Sequence, residues 1–326
     1  MRALLPFLFG AAAALSAAGQ GSDSLPNLHG YPETSTRIVH LPAEQRLVLL
    51  VPMACYENAA TGRQVDLIGA IHIGEEDYYR RLNRLMGQYD KLLFEMVGGD
   101  DVQELLRLLK RGDALSSDEL KRADELTAKI IADQNANPLG SLISWVQTHT
   151  AEQTRLANQS ELIDYTRDHF VFADMSMAQY REASRDLLKG SFSDLALLFV
   201  VPGMPVADQL LAQYHLLVGS PESARRALLA CCSYPTPPDA DDGLIIGARN
   251  AVCMQVLDRV MQDEQAKRIG IFYGSAHLRD LDLRLRERGF TLTAVRWLRA
   301  FSVPADRAPR TLHPAAAPAT PQPENA

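Results

Sequence analysis

Two histidines and a glutamate carry the chemical interest of this chain. His72 closes the apolar run Val65-Asp66-Leu67-Ile68-Gly69-Ala70-Ile71. About 200 residues later, His277 closes Ile269-Gly270-Ile271-Phe272-Tyr273-Gly274-Ser275-Ala276. Each stands in a Gly-x-x-His motif, led by Gly69 and Gly274, and Glu95 ends a third apolar run, Leu92-Leu93-Phe94. Two imidazoles and a carboxylate with an open position form a familiar catalytic metal arrangement, in which the ion activates water and polarises a carbonyl. The two glycines would let the backbone turn tightly and approach a ligand closely. A single strand-end histidine is more often merely hydrogen-bonded, so the weight rests on the recurrence.

A second group lies on a helix read from Leu244 to about Gln262. At helical spacing, Arg249 shares a stripe with Ile245, Val252, Val256 and Val260, and Asn250 lies on the adjacent stripe with Ile246, Cys253, Leu257 and Met261. An arginine and an asparagine therefore point inward among apolar residues. A buried arginine needs a partner, here Glu95 or a substrate carboxylate or oxyanion. A structural ion pair is the plainer alternative. Asp174 follows Phe170-Val171-Phe172-Ala173 and reads as a helix N-cap. Ser176-x-x-Gln179 beside it has the form of a capping box. His149, His169 and His215 read as ordinary residues of a helical region, and His29, His40 and His313 lie in polar flanks.

These residues require strands that end together. Leu47–Val51 and the run from Val65 are strand-like, and Asn58-Ala59-Ala60-Thr61-Gly62 between them predicts a hairpin. Glu75, Glu76 and Asp77 open a helix whose apolar face is Tyr78, Leu82, Leu85, Met86 and Tyr89. Lys91 to Met96 is the next strand. A mostly helical insert follows, about 101–235, ending at the Pro- and Asp-rich loop Ser233 to Asp242. The second Gly-x-x-His strand comes next, then a helix from about Leu278 to Arg288 with Gly289 past its end, and a last strand from Phe290 to Trp297. The expected architecture is α/β: a central mixed sheet flanked by helices, with a large helical insert. In such layers ligands gather at the carboxyl ends of the strands, where both histidines and Glu95 would sit.

The flanks differ in character. Arg2, the apolar run Ala3 to Leu15 and then Ser16-Ala17-Ala18-Gly19 have the form of a signal peptide over residues 1–19, which implies export to the periplasm or beyond. Residues 20–45 read as a polar lead-in, 46–300 as the α/β domain, and 301–326 as a disordered Pro/Ala-rich tail. No other run is long enough to span a membrane, so none is expected in the mature chain. The net charge of -7 argues against nucleic acid as a partner. Cys55, Cys231, Cys232 and Cys253 include no C-x-x-C, and read as one disulfide or as buried thiols. H-E-x-x-H, G-x-S-x-G, a Walker loop and G-x-G-x-x-G are all missing from the sequence.

Gly69-Ala70-Ile71-His72, Leu93-Phe94-Glu95, Arg249-Asn250 and Gly274-Ser275-Ala276-His277-Leu278, in this order, resemble the TraB/GumN/Tiki group. The resemblance covers roughly Arg46 to Trp297, least firmly in the insert. Tiki proteins are divalent-metal-dependent proteases. By that resemblance His72, His277 and Glu95 are the active-site residues and metal ligands, with Arg249 in a supporting place. Two departures stand out. Ala248 occupies a position that is often acidic in the group, and Arg279-Asp280-Leu281 follows the second histidine where a glycine is common. The expectation is an exported metal-dependent peptidase acting on a peptide or protein substrate. Glu95 would be a ligand or general base and Arg249 would stabilise developing negative charge. Gly69, Gly274 and Asn250 would support them, and manganese, cobalt and zinc are the candidate ions. The alternative is a non-catalytic protein of the same fold that binds metal, haem or peptide.

Overall fold

The computed structural model describes residues 36–135, 138–188, 204–232 and 244–305. The expected signal peptide and the loop at Ser233 to Asp242 lie outside them. Among the described residues a seven-stranded mixed sheet is flanked by helices. Its parallel half runs β3 (Arg63–Ala70), β8 (Arg268–Gly274), β5 (Lys91–Phe94), β7 (Phe170–Phe172). Its antiparallel half is built on the long β2 (Arg46–Asn58). One edge of β2 pairs β1 (Arg37–Leu41) and then β3, and β9 (Thr291–Pro304) runs along the other.

The hairpin between β2 and β3 forms as its turn sequence predicts. Asn58 Oδ1 accepts from the backbone N–H groups of Ala60 and Thr61, and Gly62 takes the left-handed φ of +65° that closes the turn.

Alternation along the strands divides the core between the two sheet faces. Ile68, Ala70, Phe94 and Phe272 pack with Tyr78, Leu82 and Met86 of helix α1 (Glu76–Met86). Val65, Leu67, Ile269, Ile271 and Tyr273 pack on the other face against Cys253, Leu257, Leu281 and Leu285. The last four belong to α9 (Arg249–Val260) and α10 (Leu278–Glu287).

Between β5 and β7 the chain makes helices α2 (Asp100–Arg111), α3 (Ser117–Asn135), α4 (Pro138–Thr154) and the single turn α5 (Gln159–Leu162). After β7 come α6 (Met177–Leu188), α7 (Val206–Val218) and α8 (Pro221–Cys231). A two-stranded ribbon, β4 (Ile73–Gly74) with β6 (Ala157–Asn158), ties this region back to the segment after His72. No described helix is long and apolar enough to cross a membrane.

Two boundaries need correction, and the mostly helical insert gains one strand. Residues 37–41 of the expected lead-in form β1, because Ile38, Val39 and Leu41 pair with the start of β2. The insert at 101–235 is not only helical: it contributes β7 to the main sheet. The expected tail at 301–326 begins too early, since β9 continues through Pro304 and buries Phe301 and Val303. All four cysteines carry free thiols, and Cys253 is wholly buried.

Candidate functional site

The four parallel strands end side by side, and each delivers one polar residue just beyond its end. β3 delivers His72, β8 His277, β5 Glu95 and β7 Asp174. Helix α9 approaches the same edge and adds Arg249 and Asn250. Its first residue follows a π-helical turn, Leu244–Ala248, so the expected single helix from Leu244 is two pieces. Such widened turns commonly sit at functional places. The inward reading of both residues holds: Arg249 is 1% exposed and Asn250 0%.

Arg249 is fully engaged by two carboxylates. Nε donates to Asp174 Oδ1 at 2.9 Å and Nη2 to Asp174 Oδ2 at 2.5 Å. Nη2 also lies 2.7 Å from Glu95 Oε1. Burial alone would lower the guanidinium pKa, but the charges of Asp174 and Glu95 raise it well above its ordinary value. Two expectations change. Asp174 is not a helix cap: its carboxylate forms a buried fork with Arg249, while the cap of α6 is Ser176, which exchanges bonds with Gln179 as the capping box predicts. Arg249 is bound to protein carboxylates, which suits it to holding Glu95 rather than meeting a substrate oxyanion.

Glu95 Oε2 accepts from the Gly274 backbone N–H at 2.5 Å. A Cβ on Gly274 would stand 3.2 Å from that oxygen, and one on Gly69 would meet Pro52 O at 2.8 Å. Both motif glycines therefore serve close packing. Neither has a positive φ, so the tight-turn reading does not apply. Burial would raise the Glu95 carboxyl, yet Arg249 foremost, then His277 and His72, hold it down at about 2. Glu95 is a carboxylate at neutral pH.

The orientation of His277 follows from its neighbour. Asn250 Nδ2 donates to Asp280 Oδ2 at 2.7 Å and to the His277 carbonyl at 3.2 Å. The amide oxygen therefore faces the ring, 2.7 Å from Nδ1. A carbonyl oxygen only accepts, so Nδ1 carries the hydrogen. In the neutral ring Nε2 is a lone pair. It is buried, has no hydrogen-bond partner and lies 3.4 Å from Glu95 Oε1. Asp280 is itself held by Arg284 Nε at 2.6 Å, and so anchors the amide.

His72 occupies the outer side and is only half-buried. Desolvation pushes its imidazole down to about 4, and Glu95 opposes the shift. His72 thus interacts with the same charges that surround His277.

The charges in this cluster do not balance. Glu95 and Asp174 bring two negative charges, and Arg249 brings one positive charge, all buried. His277 Nε2, without a hydrogen-bond partner, faces the Glu95 carboxylate. A proton or a cation between them would remove both defects. Ligand atoms about 2.0–2.1 Å from a tetrahedral ion lie about 3.3–3.4 Å apart. The 3.4 Å between His277 Nε2 and Glu95 Oε1 suits that geometry. Among the described residues no three His, Cys, Asp or Glu side chains converge as a ready-made ion site. His277 Nε2 and Glu95 Oε1 are adjacent, and His72 interacts with Glu95 and His277 through charge.

Sequence reading missed the partnership of Asp174 with Arg249, the part played by Asp280, and Gln159, which contacts His72. Comparison of the chain with family models, with curated proteins and with solved structures finds no match.

Proposed function

We propose that this chain is an exported, divalent-metal-dependent hydrolase acting on a peptide or amide bond. One observation carries the metal reading: His277 Nε2, buried without a hydrogen-bond partner, faces Glu95 at 3.4 Å in a buried cluster of two carboxylates and one guanidinium. His277 and Glu95 would hold the ion, and His72 would complete the site from the solvent side. Bound there, the ion supplies a water of lowered pKa and polarises the scissile carbonyl. Asn250 keeps the His277 lone pair aimed inward. Arg249 and the Gly274 N–H keep Glu95 ionised and fixed, with Asp174 holding the far side of the guanidinium. His72, half-buried, would meet the substrate or its water. The motif order shared with the TraB/GumN/Tiki group supports a peptidase among hydrolases, and the N-terminal pattern supports export.

A second reading also has an observation behind it. Both Glu95 oxygens already have partners, Arg249 on one and Gly274 on the other. That fits a protein that binds a cation, haem or a peptide without turnover. Two measurements decide: metal content of the wild type beside His277→Ala, and cleavage of a peptide library with and without a chelator. The hydrolase reading expects about one ion per chain in the wild type, loss of it in His277→Ala, and chelator-sensitive cleavage. Stoichiometric metal with no cleavage favours the binding protein. Equal metal in both proteins removes His277 from the site.

A further inference from the structure

The two Gly-x-x-His histidines share a feature that their motifs do not encode. Behind each ring stands a buried carboxamide from a distant element. Asn250 stands behind His277. Behind His72 stands Gln159, the first residue of α5, 3% exposed.

The Gln159 backbone N–H donates to the His72 carbonyl at 2.8 Å. The adjacent ribbon pairs Ile73 with Asn158 and Gly74 with Ala157, which fixes the two segments against each other. Gln159 Nε2 donates to the Tyr165 hydroxyl at 2.9 Å. That bond turns the amide oxygen the other way. Oε1 is buried without a hydrogen-bond partner, and the backbone bond of the same residue holds it beside His72. An amide oxygen only accepts, so the group it can satisfy on an imidazole is a ring N–H.

We propose that Gln159 is a positioning residue of the site, whose Oε1 takes one ring N–H of His72 and leaves the other ring nitrogen as a lone pair for a metal ion. The inference rests on the reading of His72 as part of a metal site. It makes the helical region a structural part of that site, since Gln159 and Tyr165 both belong to it. It also gives each imidazole the same device: an amide oxygen fixes the hydrogen, and a second bond from the amide nitrogen fixes the amide. Partners of this kind commonly change metal affinity by about 10–100-fold when removed.

The test uses the full chain with ¹⁵N-labelled histidine and two variants, Gln159→Leu and Gln159→Glu. In chelator-treated protein, two-bond ¹H–¹⁵N spectra should show His72 in a single tautomer in the wild type and in mixed tautomers in Gln159→Leu. Zinc titration should show affinity about 10–100-fold weaker in Gln159→Leu, and within about 3-fold of wild type in Gln159→Glu, which keeps an acceptor oxygen. Where Gln159→Leu does not fold, Tyr165→Phe replaces it, because loss of the hydroxyl frees the amide to rotate. Mixed tautomers in the wild type, or a wild-type pattern in Gln159→Leu, would overturn the proposal. So would equal zinc affinity in wild type and Gln159→Leu. A single wild-type tautomer lost in Gln159→Leu, together with no zinc uptake by the wild type, supports the positioning role and removes the metal reading instead.

Discussion

His72 and His277 end neighbouring parallel strands, paired in register from Gln64 and Arg268 to Ala70 and Gly274. Their surroundings nevertheless differ. His277 is 1% exposed, lies in the short turn Ser275–His277, and leads directly into α10. Its partners Glu95 and Asn250, and Asp280 behind Asn250, are all buried. His72 is half-buried, leads into the ribbon rather than a helix, and borrows its support from α5. The inner histidine is embedded in the network that holds the sheet edge together. The outer one can change its neighbours without disturbing that network. Both kinds of substitution should therefore reduce site chemistry, and the inner ones should reduce stability by more than the outer ones.

The largest effect is expected from the charges at the centre. Arg249→Leu strands Glu95 and Asp174 as buried unpaired carboxylates and should cost about 3–5 kcal/mol, read as a large drop in the urea midpoint. Asp174→Ala should fall in the same range, which a helix cap would not reach. Next comes the paired test of the comparison. His277→Ala should cost about 2–3 kcal/mol, because it also leaves Asn250 Oδ1 unsatisfied, while His72→Ala, which uncovers Gln159 Oε1 beside a half-buried ring, should cost about 1 kcal/mol. Both should abolish chelator-sensitive cleavage. Equal stability losses in the two variants would erase the distinction between inner and outer sides.

A smaller effect concerns pH in metal-stripped protein. His72 has a folded pKa of about 4, below the ordinary imidazole value. Between the two the unfolded chain binds the extra proton, so stability rises with pH there. On acidification the loss should begin near pH 6.5 and be complete near pH 4. Each pKa step is worth about 1.4 kcal/mol, and partial exposure should hold the total to about 2 kcal/mol. Urea melts of wild type and His72→Ala across this window should differ in slope by about one proton. Parallel slopes would show that His72 carries no such shift. The smallest effect is Ser176→Ala, about 1 kcal/mol for a lost N-cap, with zinc affinity unchanged.

Much of this arrangement was legible in the sequence because it rests on local signals. Apolar runs that stop at His72, Glu95 and His277 mark strands ending at one edge, and the turn at Asn58 to Gly62 marks the hairpin. The inward direction of Arg249 and Asn250 follows from helical spacing alone. Asp174 was misread because its surroundings resemble a helix start, while its partner lies 75 residues away. β7 has only three residues and stands within helical sequence, where its pairing with β5 decides its conformation. Gln159 gave no signal. Its neighbours are unremarkable, and its importance comes from the place where α5 meets the segment after His72.

The position of β8 has a kinetic consequence. β8 sits between β3 and β5, although both precede it by well over 150 residues in the chain. Until it arrives, β3 and β5 have no common neighbour and each leaves an open hydrogen-bonding edge. Closing the gap requires contacts of very long sequence separation, which are slow to form. An N-terminal intermediate with two unpaired strand edges is exposed to aggregation during that wait. The same insertion brings His277 to Glu95, so the site and the sheet should be completed in one late step. In a refolding experiment the return of metal binding should coincide with the final, slowest structural phase.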